Sequence, residues 1–126
     1  MKYMLLIYWK PSEMPRYSPE EQQANAKAWH GLTMEMQSAG VLVANDGLAP
    51  VGDAKTVRIR DGQTLTADGP FAETHEHLGG YYMIECRDMD EALAWAAKVP
   101  TAEFGSVEVR PLNIYSQARD EAARKA

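Results

Sequence analysis

The densest run of groups able to do chemistry is Asp68-Gly69-Pro70-Phe71-Ala72-Glu73-Thr74-His75-Glu76-His77-Leu78-Gly79-Gly80-Tyr81-Tyr82. Asp68 is first a turn residue. An aspartate in a turn ordinarily accepts the amide two residues on, but that residue here is Pro70, which has no N–H. Asp68 is therefore left to cap a later amide such as that of Phe71, to pair with an arginine, or to face a pocket. In a pocket, a carboxylate beside apolar groups serves as a general acid or base. Glu73 is a second carboxylate of this kind, although loops more often leave glutamate in water. His75 and His77 occupy alternate extended positions and so point to one side, with Glu73 in the same parity, which is the geometry of a partial metal site. Third and fourth ligands are missing, so the reading is no metal and no cofactor. Gly79-Gly80 marks a bulge or a close backbone approach at the start of the strand that follows.

Of the three histidines, His30 lies apart from this run, on a predicted helix. An imidazole oriented by a carboxylate has a fixed tautomer and can move protons, so its worth depends on an acidic partner. Cys86 sits in mid-strand among apolar neighbours and reads as inert.

These groups must be held by a regular frame. Residues 3–9 form a continuous apolar run of strand length, which suits an inner strand covered on both faces. Ser18-Pro19-Glu20-Glu21 combines a serine N-cap, a proline at the first helical position and a glutamate at the third, and so predicts a helix start. The helix runs to about Ala39, with Gly40 as its left-handed stop. Trp29, Leu32, Met36 and Ala39 form its buried stripe, while His30 and Met34 fall off it. Residues 41–44 read as a strand, and Asn45-Asp46-Gly47 as a turn. Residues 56–60 and 63–67 alternate about Asp61-Gly62 as a hairpin. A strand over 81–86 precedes a second helix, capped by Asp88 with Glu91 and ended by Pro100, and buried through Ala92, Leu93, Ala96 and Ala97. Residues 105–110 alternate as a last strand, with Pro111 at an edge. The organisation is one domain over 1–115 followed by a charged tail over 116–126, which is either a marginal surface helix or frayed.

The order strand, helix, strand, hairpin, strand, helix, strand gives an α+β sandwich with both helices on one face of an antiparallel sheet. At 126 residues there is room for one domain, and dimerisation would help so short a chain bury its surface. A net charge of −5 offers no basic face for phosphate backbones, so nucleic acid is not an expected ligand. The apolar start ends at Lys10-Pro11, too short for a membrane span and without a cleavage site, and a single cysteine suits a reducing compartment. The expected location is the cytoplasm, away from the membrane.

The run from Asp68 to Tyr82, continued by Met83-Ile84-Glu85 and Met89-Asp90-Glu91-Ala92-Leu93-Ala94-Trp95-Ala96-Ala97, resembles the signature of the YCII-related proteins of the DGPF type, a bacterial family of small α+β dimers. The resemblance extends from residue 1 to about 112. It implies a ferredoxin-like dimeric α+β barrel, a homodimer in which a second subunit covers the helix-free sheet face. It also implies a His-Asp pair, with the histidine on the first helix and the aspartate just before the proline that ends the second. His30 stands at roughly the matching place, but Val99 precedes Pro100 and breaks the pair as that pattern would place it. The family pattern has Lys and Gln where this chain has His75 and His77, which argues further against a metal. Related members have a dehydrochlorinase-like lyase activity, and DGPF proteins are often encoded beside extracytoplasmic-function sigma factors.

Two classes of function follow. The favoured one is a small-molecule-binding or regulatory protein, with a sigma factor as the partner implied by the resemblance. The alternative is a lyase or hydrolase-like enzyme using His30 and Asp68 as the acid-base pair. In either case the site is expected where the loop from Asp68 to Glu73 meets the first helix, lined by Trp29, Phe71, Glu73 and Tyr81 together with those two residues.

Overall fold

The computed structural model describes residues 1–72 and 74–125. Six strands and three helices follow one another as β1 (Lys2–Trp9), α1 (Pro19–Ser38), β2 (Leu42–Gly47), β3 (Lys55–Arg60), β4 (Gln63–Asp68), β5 (His77–Glu85), α2 (Met89–Ala96), β6 (Ser106–Pro111) and α3 (Ile114–Lys125). Four strands pair antiparallel in the order β2-β5-β1-β6, and β3 with β4 forms a separate two-stranded hairpin. Without the hairpin this is the ferredoxin-like βαββαβ order, and the sheet is α+β as expected. The chain alone makes an open sheet, not a closed barrel.

β1 is central, and its alternate residues explain why the run is apolar throughout. Tyr3, Leu5 and Ile7 are buried beneath the helices, while Met4, Leu6 and Tyr8 are half-buried on the opposite face. The core joins them to Tyr82 and Ile84 of β5, Leu32 and Met36 of α1, and Ala92 and Ala96 of α2. Each fully buried large side chain among them contributes about 1.5–3 kcal/mol.

The first helix starts as its sequence dictates. Ser18 accepts from the Glu21 amide, and Glu21 accepts in return from the Ser18 amide, each at 3.2 Å. It ends before Gly40, whose φ of 73° is in the left-handed region. Ala39, expected in the buried stripe, is exposed.

The structure corrects three expectations. Asn45-Asp46-Gly47 is strand, because these residues pair in register with Tyr82, Tyr81 and Gly80; the ladder overrides their turn preference. In α2 the buried residues are Ala92 and Ala96, whereas Leu93 is exposed and Ala97 is the exposed cap. That helix stops at Ala96, and Val99 beyond it is core at 1% exposure. Of the two readings of the tail, the helix is the one the structure has, as α3. α3 is tied to the sheet by Lys2 to Asp120 at 2.8 Å, by Arg124 to Glu85 at 2.7 Å, and by the Lys2 amide donating to Gln117 at 2.9 Å. Lys2 and Glu85 are register partners in the parity of Met4 and Met83, so α3 covers one end of the face opposite α1 and α2.

Candidate functional site

On the helix-covered side of the sheet, a cavity of about 280 Å³ opens between the first half of α1, the segment carrying Met14 and Tyr17, and the ends of β1, β2 and β5. Register explains its floor. Ile7, Gly80 and Gly47 face one another across three strands, and Asn45 pairs with Tyr82 beside them. Trp29, Trp9, Tyr17 and Phe104 supply the aromatic walls, and Asn25 and Thr101 add polar groups.

Glycine at positions 79 and 80 is a packing requirement here. The pairing of β1 with β5 shifts between Ile7 and Tyr8, so Gly79 is the extra residue of a bulge. A Cβ on Gly79 would fall 1.9 Å from Cη2 of Trp9, so the indole occupies the space a side chain would need. A Cβ on Gly80 would stand 2.9 Å from the carbonyl oxygen of Asp46. The first glycine admits the Trp9 wall, and the second lets β2 approach closely enough to close the floor.

The remaining wall is fixed by stacking and by a hydroxyl chain. The rings of Trp29 and Tyr82 lie nearly parallel, at 9° with centroids 6.3 Å apart. Thr33 donates its only hydroxyl proton to the Trp29 carbonyl at 3.1 Å, so in the 3.0 Å contact with the Tyr82 hydroxyl the tyrosine is the donor. Tyr82 is 3% exposed and its polar tip is thereby satisfied.

The expected site residues fall in several places. Trp29 is a wall of the cavity. Tyr81 borders it, but pairs with Leu6 and Asp46, which puts its side chain on the opposite face. His30 is exposed on α1, turned from Trp29 by one helical step of about 100°. Asp68 ends β4 and is ion-paired with its cross-strand partner Lys55 at 2.9 Å, with 88% of its side chain exposed. The adjoining Gly69 makes the turn at φ 87°. Phe71 is 78% exposed and lines a wide cleft with Tyr8, Pro70 and His77 on the other side of the sheet. Glu73 lies outside the described residues. The loop thus sits over the Tyr8 end of the open face, and the structure does not bring Asp68, Phe71 or His30 to the cavity.

Residues that sequence reasoning missed include Trp9, Asn25, Asn45 and Thr101. Asn25 carried a readable signal, since it precedes Trp29 by four positions on the stripe that continues to Leu32 and Met36. A polar residue on a core-facing stripe marks a place where the core is open or polar. Asn45 was hidden by its reading as a turn.

Charges near the core are few and their shifts have local causes. Burial pushes the Cys86 thiol up from its ordinary value, and the Tyr3 phenol likewise. Asp88 is held below the usual carboxylate range by accepting the Glu91 amide at 3.0 Å, with Arg87 helping. Among the described residues no group of three or more histidine, cysteine, aspartate or glutamate side chains is placed to hold a metal ion, and no helix is long and apolar enough to cross a membrane.

Comparison with known proteins points to one family. The model of the YCII-related domain matches residues 1–114. An uncharacterized protein of Rhizobium meliloti (strain 1021) is 38% identical over 117 residues, which cover 91% of this chain and 94% of that protein.

Proposed function

The chain belongs to the YCII-related family, and within it we propose that this protein binds a small molecule in the cavity between α1 and the sheet. The observation that carries the reading is the cavity itself: about 280 Å³, walled by Trp9, Tyr17, Trp29 and Phe104 and furnished with the carboxamides of Asn25 and Asn45. Aromatic walls with a few placed polar groups are the usual make-up of a ligand site. Its walls are held by the stack of Trp29 on Tyr82 and by the bulge at Gly79, so little ordering cost falls on binding.

A thermal-shift screen of aromatic fragments tests this. A ligand at a hundred times its Kd stabilises the folded state by about 2.7 kcal/mol, so true binders raise the Tm measurably. Asn25→Phe, which fills the cavity from α1, removes the rise. Equal shifts in wild type and variant would place the binding elsewhere and end the reading.

A homodimer belongs to the same proposal. Met4, Leu6, Tyr8, Tyr81 and Met83 form a half-exposed band on the face opposite α1 and α2, bounded by α3 at one end and the Phe71 loop at the other. A second copy is the natural cover for such a band. Light scattering then reads twice the 14.0 kDa chain mass; a monomer at micromolar concentration would refute it. The cytoplasm is the setting proposed, consistent with a single free thiol. In a regulatory version, cavity occupancy is the input and the sigma factor suggested by family resemblance is the receiver. The lyase alternative is weaker, because His30 and Asp68 are both exposed and on separate elements.

A further inference from the structure

We infer that the ligand is an uncharged, flat, bicyclic aromatic bearing a carbonyl and an N–H or O–H on one edge, as in a fused-ring lactam; the inference rests on the cavity being the ligand site. Size comes first. A dry cavity of about 150 Å³ accommodates benzene, and the space here is about 280 Å³, which suits two fused rings rather than one or three. Shape follows from the walls. Trp29 lies parallel to Tyr82, and the same cavity is lined by bare strand at Gly47 and Gly80. Flat aromatic walls together with side-chain-free backbone suit a planar group.

Charge decides the class. Among the described residues lining the cavity there is no lysine, arginine or histidine. A carboxylate or phosphate would lose its hydration there without a counter-ion, at a cost that aromatic contact does not recover. A cation fares little better. Asp46 is the single charged residue in the lining, and its pairing with Tyr81 sets its side chain on the opposite face, leaving its backbone carbonyl against Gly80. What remains for recognition is neutral. Each asparagine carboxamide offers one acceptor oxygen and two donor hydrogens, which is the complement of an edge carrying both a carbonyl and a donor. Asn45 approaches from the sheet and Asn25 from α1, so they fix the edge of the ring while the aromatics hold its faces.

Isothermal titration with four probes tests the class: 2-quinolinone, naphthalene, 2-naphthoate and N-methylquinolinium, each against wild type, Asn45→Leu and Asn25→Phe. The expected result is that 2-quinolinone binds wild type at least tenfold tighter than the other three, loses about tenfold in Asn45→Leu, and loses all binding in Asn25→Phe. Should Asn25→Phe not fold, Met14→Trp fills the cavity from an exposed loop position and serves in its place. If 2-naphthoate or N-methylquinolinium binds as tightly as 2-quinolinone while the filling variant still abolishes binding, the charge argument is overturned and the cavity reading stands. If naphthalene equals 2-quinolinone, the polar edge is overturned in the same way. If no probe binds wild type, the class is overturned and the cavity reading rests on the fragment screen; if the filling variant binds as wild type does, both fall.

Discussion

Gly80→Ala tests the construction of the cavity floor at a single atom. The added Cβ would lie 2.9 Å from the Asp46 carbonyl oxygen and 3.3 Å from the Gly47 Cα. Both neighbours are backbone of β2, an edge strand held by its ladder to β5, so no flexible side-chain end can give way. β2 must move out by several tenths of an ångström along the line of its hydrogen bonds. Overpacking of this kind costs about 1–3 kcal/mol, and the reduced freedom of alanine in the unfolded chain offsets up to about 1 kcal/mol of it. The net loss is about 1–2 kcal/mol, a Tm fall of roughly 4–8 °C for a domain of this size. Gly47→Ala is the control, because its Cβ would meet only the Gly79 carbonyl at 3.9 Å, an ordinary contact. That variant is expected to be neutral or stabilised by up to about 1 kcal/mol. In urea melts Gly80→Ala therefore falls below wild type while Gly47→Ala does not. Equal stability of Gly80→Ala and Gly47→Ala would refute the close approach of β2 to β5.

Asp68→Asn removes an ion pair with Lys55 that is almost wholly exposed, and exposed pairs contribute little; the denaturant midpoint should stay close to wild type, and a clear loss would show Asp68 in a more buried role. The Cys86 thiol, raised by burial and 8% exposed, should react with an aromatic disulfide at pH 8 at least tenfold more slowly in the native than in the unfolded protein; similar rates would contradict its placement. Asp120 is held below the usual carboxylate range by the Lys2 ammonium. A depressed folded-state pKa means that its stabilisation is present above the unfolded value near 3.9 and is lost as pH falls through the lower folded value. Wild type should therefore exceed Asp120→Asn in urea midpoint at pH 6 and converge with it as pH falls through the folded value; a gap that persists after both states are protonated would remove Lys2 as the cause.

Strong local signals survived into the structure. The Ser18 capping box, the left-handed Gly40, the hairpin about Asp61-Gly62 and the central apolar β1 all depend on residues adjacent in sequence, and each appears where its chemistry puts it. What was illegible depends on partners distant in the chain. Asn45-Asp46-Gly47 reads as a turn until β5 pairs with it. The α3 tail lacks an apolar stripe, and is held instead by Lys2 and Glu85, residues from β1 and β5. The same limit applied to the site. The loop from Asp68 drew attention because its chemistry is dense, yet Asp68 is ion-paired to a neighbouring strand and Phe71 faces the other side of the sheet. The cavity is assembled from Trp9, Asn25, Trp29, Asn45 and Thr101, separated by up to most of the chain, and no single stretch announces it. Trp29 was expected in the site and lines the cavity, and Asn25, polar on an apolar stripe, is the further signal the sequence held.

The ligand proposed here lies between α1 and the sheet. A crystal structure of the protein soaked with its tightest fragment tests it most directly. Ring density is expected in the cavity beside Trp29, Gly47 and Gly80, with its polar edge toward Asn45. Density in the cleft beside Phe71 and Tyr8, with the cavity unchanged, would contradict it.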